Sequence, residues 1–146
     1  MDVQQDVSAL LEGKSRALAQ LLEASRLFLE SIQASPQNLS ALVMNFETKR
    51  NITFCAVELI DRKISTFSPH LSNSPEWKAS ARRTILEHQE LVREILKVDA
   101  DIINVIEHHR QNLLREATDQ GRLKDRLSKF KSQQVHGQGE GLDQQL

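Results

Sequence analysis

The stretch of sequence that decides the fold is residues 91–106, LVREILKVDADIINVI. Its apolar residues recur at spacings of three, four and seven, which is the period of an α-helix and not the alternation of a strand. They form two heptad-like stripes side by side, so the apolar face is wider than the seam of a simple coiled coil. Such a helix must contact two neighbours, or one neighbour and a partner. The residues predicted on its packing face are Ile95, Ile102, Ile106 and Leu113.

Outward from this stretch, the helical period predicts three long helices. The first runs from about Val7 to Gln33, the second from about Pro36 to Thr66, and the third from Pro75 to Gly121. A serine–proline pair opens the second and third helices, with the serine as candidate N-cap and the proline at the first helical position. The intervening turns are short enough to return the chain antiparallel.

A short C-terminal helix is predicted beyond a break at 119–121, because Gly121 weakens the helix by about 1 kcal/mol relative to alanine. Residues 132–146 are rich in Gln and Gly and are predicted to form a disordered polar tail. The predicted fold is therefore all-α, an antiparallel bundle of three long helices with a short C-terminal helix, within residues 1–131. The apolar face of the last helix would be formed by three residues: Leu123, Leu127 and Phe130.

Composition excludes several classes of function. The net charge of the 146 residues is -1, whereas a broad nucleic-acid-binding surface shows a basic excess. No apolar run approaches the roughly 18 residues that span a bilayer, and the acidic N-terminus lacks the pattern of a signal peptide. Cys55 is the single cysteine, and its apolar neighbours predict a small buried side chain. We therefore expect a cytoplasmic protein that neither inserts into a membrane nor binds nucleic acid.

Catalytic motifs are absent from the sequence. It contains no glycine-rich phosphate loop, no nucleophile elbow, no paired zinc-binding histidines and no C-x-x-C pair. The nearest metal-ligand candidates are Glu87–His88 and Glu107–His109, but adjacent histidines project about 100° apart on a helix. We interpret His109 as bordering the core and His108 as solvated, and we expect neither enzymatic activity nor a cofactor nor a metal.

Asp99 lies on the margin of the apolar face of the third helix. A carboxylate in that position is either paired with a basic residue or exposed at a partner-binding surface. The sequence leaves both interpretations open.

The segment from Ile95 to Arg122 resembles the long helix of FliT-type flagellar export chaperones, with the FlgN-type chaperones as near relatives. The shared pattern is an Ile-Leu pair, an acidic residue, an Ile, and then Leu and Arg positions before a polar turn. A short final helix follows, and Phe130 stands where that family often carries a tyrosine. Leu39 to Arg50 resembles the family's second helix, although a tryptophan often found near its start is missing. The residues that carry the resemblance are Ile95, Leu96, Asp99, Ile102, Ile106, Arg110, Leu113, Gln120, Gly121 and Arg122.

This resemblance implies a cytosolic, cofactor-free helical bundle that binds a filament-cap type of flagellar protein before type III export. It also implies contact with the export ATPase apparatus, and in some members with a transcription regulator. The final helix of the family can fold back over the client groove, so an autoinhibitory role is expected for Leu123, Leu127 and Phe130. An apolar groove on the third helix would receive an amphipathic client helix. The residues predicted to bind the partner are Leu91, Ile95, Val98, Ile102 and Val105.

Two other interpretations of the sequence remain open. The apolar face could be the dimer interface of an oligomeric adaptor or structural protein, or the bundle could hold a metal or cofactor as an enzyme. The sequence does not name the client, decide between the FliT and FlgN types, or give the oligomeric state.

Overall fold

The computed structural model describes residues 3–67 and 74–145, with side chains described as far as residue 132. Its helices are α1 (Val3–Ala34), α2 (Leu39–Phe67) and α3 (Pro75–Gln145), with a 3-10 turn at Pro36–Asn38 before α2. The described residues contain no strand, so the predicted all-α class is confirmed. None of their helices combines the length and apolar character of a membrane span.

The chain divides into two compact units, Met1–Ile106 and Glu107–Leu146. The first unit holds the hydrophobic core. The second consists of the later part of α3, whose helix continues to Gln145. The backbone of residues 132–145 is part of this helix. The disordered tail was predicted for residues 132–146, and the side chains of residues 133–146 lie outside the described residues.

The two serine–proline pairs behave differently. Ser74 accepts a hydrogen bond on Oγ from the backbone N–H of Trp77 at 3.4 Å, as an N-cap does. Ser35 makes no side-chain cap bond, so the prediction is wrong there. The physical reason is local, because the chain passes through the 3-10 turn at Pro36–Asn38 before α2 begins.

The core of the first unit is formed mainly by α1. The buried side chains of α1 are apolar with one exception, Ser25, which donates its hydroxyl to the carbonyl of Leu21 at 2.8 Å. From α3 come Ile95, Val98 and Ile102. The predicted packing face is confirmed for Ile95 and Ile102. The buried residues of α1 are Val7, Leu11, Leu18, Leu21, Leu22, Ser25, Phe28 and Ile32.

By contrast, α2 contains no fully buried residue. It covers the core with half-buried side chains, among which the Phe46 ring stacks on Phe28 with centroids 4.3 Å apart. Lys14 of α1 forms an ion pair with Asp61 of α2 at 2.8 Å. A helix that buries no side chain fully is covered on one side only, and its outer face remains in water.

The prediction for Cys55 is wrong, because its side chain is exposed. The half-buried positions of α2 follow a 3–4 alternation through Phe46, Arg50, Thr53 and Val57. Cys55 falls off this stripe, so its apolar neighbours in sequence are not its neighbours in space. The apolar neighbourhood misled the prediction because adjacent residues on a helix point about 100° apart.

The predicted break at 119–121 is also wrong, since α3 continues through Gly121. No glycine in the described backbone has a positive φ, and a Cβ built at Gly121 meets nothing within 4 Å. One glycine costs a helix only about 1 kcal/mol, which good helix formers on both sides can outweigh. The described residues therefore contain no separate short C-terminal helix.

Candidate functional site: the α2–α3 groove

The five residues predicted to bind a partner lie in or against the core of the first unit. Ile95, Val98 and Ile102 are between 4% and 8% exposed. Leu91 and Val105 are half-buried and pack against the same cluster. A partner could reach Ile95, Val98 and Ile102 only if the core opened, whereas Leu91 and Val105 keep part of their side chains exposed. Binding of a partner by these five residues stays a prediction.

The second apolar stripe of α3 remains uncovered. Ile85, Val92, Leu96 and Ile103 are between 41% and 63% exposed. Their spacings of seven, four and seven place them on one side of the helix. This exposed stripe is rotated by roughly 110° from the buried one at 100° per residue. The two stripes recognised in the sequence therefore have different environments, and the exposed one is the candidate docking surface.

Two clefts between α2 and α3 border the exposed stripe, and together they define the α2–α3 groove. One cleft has a volume of about 510 Å³ and takes in Ile85 and Val92. The other has a volume of about 240 Å³ and takes in Ile103. The α2 residues that line the larger cleft are Asp61 and Ile64. Those that line the smaller cleft are Val43, Phe46, Glu47 and Arg50.

Arg50 and Asp99 form an ion pair across the groove. The guanidinium donates from Nη1 to Oδ1 of Asp99 at 2.5 Å and from Nη2 to Oδ2 at 2.7 Å. This two-point hydrogen bond to Asp99 raises the pKa of Arg50, although burial opposes the shift. The same guanidinium lies 5.0 Å from the centroid of the Phe54 ring, within range of a cation–π contact. Of the two interpretations of Asp99, pairing with a basic residue is the one confirmed.

His88 is a buried residue at the floor of the larger cleft. Its Nε2 lies 3.0 Å from the carbonyl oxygen of Leu11 and 2.8 Å from Oγ of Ser15. Since the Ser15 hydroxyl donates to the same carbonyl at 3.2 Å, an imidazole protonated on Nε2 satisfies all three groups. Burial lowers the pKa of His88, and the bond to Leu11 only partly offsets this. The neutral imidazole is thus a structural link between α3 and α1.

In the sequence, His88 is a candidate only for metal binding, and its role as a link between helices was not predicted. One regularity could have revealed it, because His88 stands seven residues before Ile95 on the buried stripe. A polar residue at a core position of a helix is expected to find a hydrogen-bond partner. The pairing of Arg50 with Asp99 was not predicted either, because the sequence does not show which basic residue lies opposite Asp99.

The residues expected to be autoinhibitory lie in the second unit. Leu123, Leu127 and Phe130 are between 51% and 57% exposed, and Leu113 of the same unit is 52% exposed. The packing-face prediction is therefore wrong at Leu113. Docking of the three residues over the third helix stays a prediction, but the helix break on which it depended is not in the structure.

Metal-ligating groups do not cluster in the described part of the chain, where no three His, Cys, Asp or Glu side chains could share an ion. His109 is half-buried and His108 is exposed, as predicted.

In comparisons with protein-family models, curated proteins and solved structures, nothing matches this chain.

Proposed function

We propose that this protein is a cytoplasmic, non-enzymatic export chaperone that holds an amphipathic helix of a flagellar structural protein in the α2–α3 groove. The observation that carries the proposal is the exposed stripe of α3, whose four large apolar side chains face water beside two clefts. The flagellar client, of the filament-cap type, and the contact with the export ATPase apparatus rest on the sequence resemblance.

The proposed architecture of the first unit is an antiparallel three-helix bundle that accepts the client as its fourth helix. Two contacts support opposite directions for α1 and α2. Lys14, near the start of α1, pairs with Asp61 near the end of α2, whereas Phe28, near the end of α1, stacks on Phe46 near the start of α2. Four-helix bundles bury such stripes between facing helices. The absence of any fully buried residue in α2 fits a helix whose packing the client completes.

The groove has a length and an energy that suit a helix. From Ile85 to Ile103 the stripe spans roughly 27 Å at 1.5 Å per residue, enough for about five turns of a client helix. Complete burial of an aliphatic side chain contributes about 1.5–3 kcal/mol. Each half-exposed residue therefore has roughly 1 kcal/mol left to gain. Four such residues give a gross gain of about 4 kcal/mol before ordering costs, which suits a client that must be released.

The alternative proposal is an oligomeric adaptor or structural protein in which a second copy covers the same stripe. Both proposals place Leu96 in an interface, but they differ in what the residue touches. The test must therefore identify the molecule in contact with the stripe.

Site-specific photo-crosslinking makes this identification. A photo-reactive amino acid replaces Leu96 on the stripe, or Leu86 as the control, in the organism that makes the protein. The two leucines are 60% and 61% exposed on the same helix, but their side chains point about 80° apart. We expect position 96 alone to cross-link to a helical segment of a flagellar export substrate. A cross-link only to a second copy would establish the alternative, and equal products from both positions would overturn both proposals.

A further inference from the structure

The second unit carries a narrow apolar seam flanked by positive charge. Residues 122–131 read RLKDRLSKFK, with five basic residues and one acidic residue, while the whole chain has a net charge of -1. Every side chain of this stretch is exposed. The segment is therefore a cationic, apolar-faced helix that no described side chain of its own unit covers.

The apolar residues of the segment follow the spacing of a coiled-coil seam. Leu123, Leu127 and Phe130 fall within an arc of roughly 60° at 100° per residue. Towards the N-terminus of the helix, spacings that alternate between three and four residues continue this seam through Gln120, Glu116 and Leu113. This regular 3–4 pattern is the period of a heptad, and a seam this narrow suits one partner helix. A helix that lies on a membrane surface presents a large apolar face instead.

The charges of the segment lie on both sides of the seam. Arg126 borders it on one side, and Lys124 and Lys131 border it on the other, at the heptad positions that pair with a neighbouring helix. Asp125 projects away from the seam, on the opposite side of the helix. Any helix that packs along the seam must therefore meet cations at both of its edges.

These charges disfavour a second copy of the chain as the partner. In a parallel pair of copies, Asp119 of each would meet Lys124 of the other, but Arg126 would meet Lys131. In an antiparallel pair, each flank would face the same flank of the other copy, so that the side with Arg126 meets its equivalent and the side with Lys124 and Lys131 meets its own. Either way, two segments with an excess of four positive charges would lie side by side, and like charges across an interface oppose association.

We propose that residues 113–131 of α3 are a docking site for an amphipathic helix of another protein whose apolar stripe is flanked by Asp and Glu. Leu113, Leu123, Leu127 and Phe130 pack against the apolar stripe of that helix. Glu116 and Gln120, the polar residues within the seam, fix the register, as isolated polar residues do in coiled coils. Arg126, Lys124 and Lys131 select the acidic flanks. This surface is separate from the α2–α3 groove and does not depend on the function proposed for it.

A designed peptide pair tests the proposal with the full-length chain. The probe is a synthetic peptide of about three heptads with Leu along its seam and Glu on both flanks, and the control peptide carries Lys on the flanks. Flank repulsion limits self-association of either peptide. Binding is measured by fluorescence anisotropy at low and high salt. We expect the Glu peptide to bind at least about tenfold tighter than the Lys peptide, with the difference shrinking in high salt.

Matched charge reversals locate the binding surface. Arg126→Glu should weaken binding of the Glu peptide by about tenfold, because it places like charges at the seam. Lys129→Glu makes the same change of charge off the seam and should leave the affinity within about twofold. Leu96→Asp on the exposed stripe of α3 should also leave the affinity unchanged, which separates this proposal from the proposed function. Circular dichroism checks that each variant remains helical.

Four results would overturn the proposal. The first is equal affinity for the two peptides. The second is an equal effect of Arg126→Glu and Lys129→Glu. In the third, light scattering shows that the chain self-associates and that Leu127→Asp abolishes the association, which makes a second copy the occupant. In the fourth, vesicles containing phosphatidylserine bind the segment while the Glu peptide does not, which makes an anionic membrane surface the ligand.

Discussion

The ion pair between Arg50 and Asp99 offers a quantitative test of how α2 is held against α3. The two side chains are 26% and 16% exposed, so water screens them only in part. Charge-assisted hydrogen bonds contribute about 1.5–3 kcal/mol each. Removing one partner of a buried pair costs about 3–5 kcal/mol, largely because the remaining charge is left unpaired. With partial hydration of both groups, we expect Asp99→Ala to lower the free energy of unfolding by about 2–3 kcal/mol.

A double-mutant cycle isolates the pairwise energy from the effects of each truncation. Arg50→Ala, Asp99→Ala and the double variant are unfolded in urea at neutral pH, and the coupling should be about 1–3 kcal/mol. The matched control is the exposed pair of Glu90 and Arg93, which are 3.0 Å apart and should couple by less than about 0.5 kcal/mol. High salt should reduce the control coupling proportionally more, since exposed charges are better screened. A coupling for Arg50 and Asp99 no larger than that of the control would refute the reasoning.

The other predictions concern a buried histidine, a core isoleucine and the cysteine. Because burial lowers the pKa of His88 below its ordinary value of 6.5, the unfolded chain binds a proton more readily, and stability should fall as pH drops below about 6.5. In melts between pH 5 and 8, His88→Gln should lessen this decline, and an identical pH profile would contradict the assignment. Ile102→Ala should cost about 2–5 kcal/mol in urea unfolding, whereas Leu86→Ala, an exposed control, should change stability by less than about 0.5 kcal/mol. The rate at which Cys55 of the native chain reacts with a thiol reagent should lie within about tenfold of its rate in urea, since the side chain is exposed. A much slower reaction in the native chain would place Cys55 in the interior.

Much of the helical organisation followed from the sequence because apolar periodicity is a local property. The predicted ranges of α1 and α2 lie within a few residues of the observed ones, and Pro75 marks the start of α3 as expected. Ile95 and Ile102 of α3 face the core as predicted. That the neighbouring stripe stays exposed could not be predicted, since it is equally apolar and its covering depends on where α1 and α2 pack. Apolar neighbours in the sequence misled the prediction at Cys55, which lies off the inward stripe of α2 that Arg50 continues.

The lack of any fully buried residue in α2 has a consequence for the order in which the first unit opens. Segments with few buried apolar contacts open at lower free energy than the global unfolding transition. Amide hydrogens along α2 should therefore exchange with deuterium through a partial opening that leaves the middle of α1 protected, around the buried Leu18, Leu21 and Leu22. A helix bound in the α2–α3 groove would close this route and slow exchange in α2 far more than in α1. The helix with the fewest buried residues thus becomes the one whose exchange rate reports whether the groove is occupied.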